Sequence, residues 1–473
     1  MEMVRIHRLS ARYHLPPSRE EERERLDRIL RTVLDEALEG ALERAGVSPY
    51  EEVCIRSLHV PVRLRLSLAN SSLALAWSLA LSDSIVRARN GEYVPNVVRY
   101  HSAAHVLFDV AIGVATDRFE RAWAWRLARA WRGSESPSAS EATAELVYAL
   151  LEEPALIAPL LAALAARNVP AAVFAGLWRR VSAAQWVELA RAALHAAGVS
   201  ASIIEDAAAP GIAEVVRQAQ RMLAASALAR AAASAPEVLM NALETRRAFA
   251  ALIALELDPA VARPFARARA LVSALSDAMH PATFRAPLAP LPHSRDKERE
   301  PQALLNDDVP AAVTRRAFTN FGGLLFLLRL IEELGLPDEI LGRCAQRPFR
   351  WALHQLALAL VPAEAEDPAA LAFAGLLPNA VPPTRDEEPP TDVEREIIAS
   401  FVERIQAALE KLLEEKQPIA LVCHRAAEIV ADPGWIEVRL SLNDVSTAIR
   451  RTGLDLDPGN VPWLGVVVRF VYE

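Results

Sequence analysis

The chain has 473 residues, of which 52% are hydrophobic and 24% charged, and it carries a net charge of −8. That length predicts two or three domains, and that apolar content excludes a disordered chain. The negative balance, with no face crowded by positive charge, argues against a grip on phosphates, so nucleic acid is not an expected partner.

From the N-terminus, MEMVRIHRLS places charge where a secretion signal has its apolar core. Leu9, Ala11, Tyr13 and Leu15 alternate as a half-buried strand, which Pro16 and Pro17 stop. Ser18 and Glu21 match a capping box. Beyond them Leu26, Ile29, Leu30, Val33, Leu34, Ala37 and Leu38 recur at helical spacing, with Gly46 as the stop. A second alternation runs through Leu58, Val60, Val62, Leu64, Leu66 and Leu68, and Pro61 on its other face predicts an edge strand.

From about Ser71 to His280 the pattern predicts helices almost throughout, rich in alanine and anchored by Trp77, Trp123, Trp125, Trp131, Trp178 and Trp186. A polar loop at 132–142 interrupts them, and no fixed repeat period is present. The apolar run Pro154–Ala166 falls short of the roughly 20 residues that a membrane span needs, so it is expected to be a buried helix. A Pro-rich and then charged tract follows at 286–302. Beyond it lie a helix-rich block, a second Pro-rich loop, a helix from Val393 to about Lys416, a strand at WIEVRLSL, a short helix at NDVSTAIRR and a last strand at VVVRFVYE. Asp457–Pro458–Gly459 carries turn chemistry before that strand.

The expected division is an α+β segment at 1–95, a helical region at 96–285, a linker at 286–308, a helical block at 309–378, an acidic Pro-rich loop at 379–392 and an α+β segment at 393–473. Strand patterns thus occur at the two ends. A stable sheet needs three or more strands. The expected fold class is therefore mainly α with a small mixed α+β platform built from N- and C-terminal strands, the helical middle being a large insertion.

The residues that suggest chemistry are few. His101, His105 and Asp109 fall at i, i+4 and i+8 on one helix face, a pattern that can hold a divalent metal, yet its ends lie about 12 Å apart along the axis. A polar helix face or an interhelical hydrogen-bond set is the favoured reading of this trio. Cys423 and His424 are adjacent, and neighbours in a strand face opposite ways, which disfavours a catalytic dyad. Cys54, Cys344 and Cys423 show no metal spacing and fit a reducing compartment. Gly322–Gly323 opens an apolar helix without a phosphate-cradling lysine. No hydrolase, P-loop or dinucleotide motif occurs. The expectation is a non-enzyme with no cofactor and no metal site.

Several stretches resemble the tape-measure proteins of bacterial contractile injection systems, the phage-tail-like syringes. They are TNFGGLLFLL at Thr319–Leu328, LGLPDEI at Leu334–Ile340, RPFRWALHQLALAL at Arg347–Leu360, EDPAALAFAGLLP at Glu366–Pro378 and VPWLGVVVRFVYE at Val461–Glu473, together with the opening IHRLSARYHLP. Phe321–Gly322–Gly323 replaces that family's usual Asn-Ala-Gly, and Ala374–Gly375 its Cys-Gly. The helical middle carries no such likeness.

The resemblance implies a structural or assembly role in tube length or tube and baseplate assembly. It also implies protein partners, and a cytoplasmic location before incorporation into a particle. Its candidate docking residues are Gly322, Gly323, Pro458, Gly459, Pro462, Trp463, Phe470 and Tyr472. The last strand either closes a sheet within the chain or adds to a partner's edge. A helical scaffold unrelated to such particles, and a metal enzyme on the His/Asp face, are the alternatives. The 32 prolines exclude one continuous ruler-like helix.

Overall fold

The computed structural model describes residues 6, 9–34, 40, 52–88, 96–166, 169–205, 213–281, 315–385 and 387–472. The fold is mainly α with small sheets, as expected. The strands do not combine as expected. β1 (Glu52–Ile55) and β2 (Val97–Tyr100) form a two-stranded antiparallel sheet of their own. A separate five-stranded sheet has the order β3-β4-β5-β7-β6. Its members are β3 (Arg315–Thr319), β4 (Ala427–Asp432), β5 (Trp435–Leu440), β6 (Gly459–Val461) and β7 (Val466–Tyr472). The helical region therefore precedes the sheet and is not inserted into it. The reason lies in β3 and β4, which the patterning missed. β4 is buried along nearly its whole length and does not alternate, while β3 is short and begins with two arginines. β4 supplies the second neighbour of β5, whose other side pairs with β7, and β3 covers the outer side of β4.

Neither predicted N-terminal strand forms. Residues 9–16 are irregular, and Tyr13 instead donates to Asp27 Oδ1 at 2.7 Å and packs edge-on against Trp77. Ser18 sits in a 3₁₀ turn, Pro17–Arg19, so the capping box is not made. The helix Glu22–Thr32 does form and buries Leu26 and Ile29, with Val33 just beyond it. Residues Ala37, Leu38, Gly46 and the linker 286–308 lie outside the described residues.

From Leu58 to Leu66 burial alternates as the pattern predicts, with Pro61 exposed, but no ladder forms. Arg25 takes the backbone acceptors instead, donating to the carbonyls of Leu66 at 3.0 Å and Leu68 at 2.7 Å. Alternation reports which face is covered; a strand also needs a partner edge.

The middle of the chain is the expected helical array. Its centre is the helix Leu243–Leu257, whose residues 248–254 are almost wholly inaccessible. Phe174, Trp178, Trp186 and Phe249 interlock around it, with ring centroids 4.8 to 6.3 Å apart. A Cβ on Gly176 would stand 2.1 Å from the Ala115 carbonyl, so the helices Ala103–Thr116 and Ala171–Arg180 cross at a distance only glycine permits. Pro154–Leu164 is interior, as predicted. It meets the helix Ala139–Glu152 at 102°, and no single described helix is long and apolar enough to cross a membrane.

The five-stranded sheet has two unlike faces. Ile429, Ala431, Ile436, Val438, Leu440 and Val468 are apolar and face the 3₁₀ turn Gly322–Phe326 and its neighbouring helices. The opposite face carries Arg316, Glu428, Glu437 and Arg439, joined by ion pairs between 2.7 and 3.9 Å. Sheet and helical array share one continuous core. Gly434 presses on Pro159 and Gly465 on Pro259, while the Phe349 amide donates to Asp258 Oδ2 at 3.3 Å.

Candidate functional site

The densest buried polar constellation lies where the helical array meets the sheet. Its scaffold is the junction between β2 and the helix Ala103–Thr116. Ser102 caps that helix, its Oγ accepting from the His105 amide at 3.1 Å. The same hydroxyl donates to Asp432 Oδ2 at the end of β4, so one serine holds both a helix start and the sheet. His105 and Asp109 lie on that helix, but it starts at Ala103, so His101 precedes the cap and the three do not share the predicted helix face.

Asp109 is turned inward. Its carboxylate accepts from the Tyr100 hydroxyl at 2.8 Å and the Trp125 indole at 2.7 Å, with Arg121 at 3.4 Å. His101 and His105 stack with ring centroids 5.6 Å apart, and Tyr100 meets His105 edge-on at 5.7 Å. His105 Nδ1 accepts from the His101 amide, which leaves the neutral ring's proton on Nε2. Nε2 is buried with no hydrogen-bond partner among the described residues. Among those residues no group of three or more His, Cys, Asp or Glu is placed to hold a metal ion. Asp109 thus ties its helix to Tyr100 of β2 and to Arg121 and Trp125, and Ser102 carries the set into the sheet through Asp432.

Burial lowers the His105 pKa, with His101 and Arg121 acting in the same direction; Asp432 and Asp109 oppose them. Burial raises the Tyr100 hydroxyl, and the Asp109 charge adds to it. The joint is therefore built for a neutral imidazole beside a neutral phenol. The thiols are held protonated as well: burial pushes Cys54 and Cys423 up to about 12. His424 packs on Phe321 at 5.2 Å.

The candidate docking residues mostly serve the fold. A Cβ on Gly322 would meet Ala427 Cβ at 2.3 Å, and one on Gly323 the Val422 carbonyl at 1.9 Å, so both glycines let the 3₁₀ turn lie flat on β4 and the helix Pro418–Cys423. Trp463 is fully buried and meets Phe349 edge-on at 6.2 Å. Phe470 packs against Phe326 at 4.7 Å. The Tyr472 hydroxyl donates to the buried carboxylate of Asp455 at 3.0 Å, which also pairs with Arg450. The predicted turn at Asp457–Pro458–Gly459 is not made: Gly459, at φ +68°, opens β6 directly after Pro458, and Pro462 is half-buried next to Trp463. β7 lies between β5 and β6, so along its paired length it closes a sheet within the chain. No family model, no curated protein and no solved structure matches this chain.

Proposed function

We propose that the protein is a globular, non-enzymatic structural or assembly component of a phage-tail-like contractile injection particle, related to the tape-measure proteins. One observation supports this reading best. The stretches that carry the resemblance in the last third of the chain, far apart in sequence, meet in one unit. Gly322–Gly323 lies on β4, Phe326 on Phe470, Phe349 on Trp463, and Gly375, at φ +70°, under Leu464. A packed unit of this kind also suits a part that seats on the tube or baseplate better than an extended ruler.

Its partners in this reading are tube and baseplate proteins, met in the cytoplasm where particles assemble. Two measurements test it. Small-angle scattering of the purified protein is expected to give a radius of gyration of ~23 Å, the compact-chain value. A value several times larger would favour a preformed ruler. Tagged protein is expected to co-purify with sheath and tube proteins from its host, and a deletion strain to lose particles or alter their length. Normal particles in the deletion strain would overturn the assignment and leave a scaffold without ties to such particles.

A further inference from the structure

We propose that the free edge of β3 is a docking strand, which takes an extended, acidic segment of a partner protein with an apolar side chain seated on Phe318. The sheet has two edges, β3 and the three-residue β6. Among the described residues β3 pairs only with β4, in register from Arg315 opposite Ala431 to Thr319 opposite Ala427. Among them its outer side therefore presents unpaired peptide groups, the template that strand addition uses.

Natural edges are commonly blunted by shortness, inward charge or a covering element. Here Phe318 is 79% exposed, the most exposed large hydrophobic among the described residues. Arg316 shares its face, and Arg315 lies on the other. Among the described residues Arg316 is held by a 3.9 Å pair with Glu428, a carboxylate that also faces Arg439 at 3.7 Å. Two arginines on this edge strand select against basic partners and favour carboxylates. Because side chains alternate, a partner with acidic and apolar residues two apart would meet Arg316 and Phe318 together.

This names a surface for the assembly role without depending on it. The test uses purified protein alone, so its failure and the failure of the particle experiments are distinguishable. The probes are a short fluorescein-labelled peptide repeating Glu-Glu-Val-Val and its Lys-Lys-Val-Val counterpart, read by anisotropy on the full chain. The acidic peptide is expected to bind and the basic one not. Phe318→Ser, at a site too exposed to unfold the protein, should weaken binding about ten-fold, near 1.4 kcal/mol. Arg315→Glu with Arg316→Glu should reverse the preference. No binding at millimolar peptide, equal binding of both peptides, or binding unmoved by either variant would overturn the proposal. A dimer of the unmodified protein that Phe318→Ser dissolves would assign the edge to a second copy, which also overturns it.

Discussion

Among the described residues there are two hydrophobic cores of very different size, and their contrast explains much of the molecule's behaviour. The larger runs without a break from the helical array into the five-stranded sheet. The smaller holds Leu26, Ile29, Val33, Leu73 and Trp77, with half-buried neighbours from the stretch that alternates but forms no ladder. In the large core each pattern found a partner: β5 met β4 and β7, and Trp463 met Phe349. In the small one a single arginine stands in for a neighbouring strand. Burial alone covers a face. Only pairing turns an alternating stretch into sheet, and regions without it open at lower free energy.

The largest expected effect would break this contrast directly. Trp463→Ala should destabilise the main core by about 3–5 kcal/mol, whereas Trp77→Ala should leave the main unfolding transition in place and loosen only the small cluster. Denaturant titration with hydrogen exchange separates the two, and equal effects on both would mean that the cores are one cooperative unit. Next, Gly323→Ala must displace the Val422 backbone, since its Cβ would lie 1.9 Å from that carbonyl. A loss of about 1–3 kcal/mol is expected in thermal melts. An unchanged melt would mean that the 3₁₀ turn does not lie flat on its neighbours.

Smaller is the effect of acid on the seam. His105 has a lowered pKa in the folded protein, so the unfolded chain takes up that proton first. Its contribution is fully present above about pH 6.5 and is lost as pH falls through the folded value. A melt series across that range should show this slope, and His105→Phe should flatten it. A slope unaltered by the substitution would assign the acid sensitivity elsewhere. Glu394 should act lower: Arg347 holds its carboxyl down at about 2, so its contribution is complete above the ordinary carboxylate range and fades as pH falls towards 2. Smallest of all, Arg25→Ala should raise exchange and proteolysis over 57–68 with a local cost of about 1–2 kcal/mol. Protection that stays intact would show that Arg25 is not what holds that stretch.

Much of the candidate site was legible and much was not. Helical spacing placed His105 and Asp109 on one helix, yet nothing local indicates that the helix would start only after His101 or that Asp109 would be claimed by Tyr100 and Trp125. Ser102 and Asp432, which complete the joint, lie 330 positions apart. The one signal open to inspection was the serine three residues before His105, an N-cap position. The glycines and tryptophan offered for docking are packed within the fold, and small and large residues at fixed points signal close packing without saying against what. Whether they pack inward or outward depends on where β4 passes, and β4 has no alternation to announce it.

From the residues alone came the mainly helical class, the buried run at Pro154–Ala166 and the strands β5 and β7. These rest on local rules: periodicity, run length and alternation. Only the tertiary structure decided which strands share a sheet, which edge stays open and what the buried polar groups face. Those depend on contacts that no local pattern sets, from Tyr100–Asp109, nine positions apart, to Ser102–Asp432, 330 apart. A one-dimensional pattern shows that a face must be covered, and folding chooses what covers it.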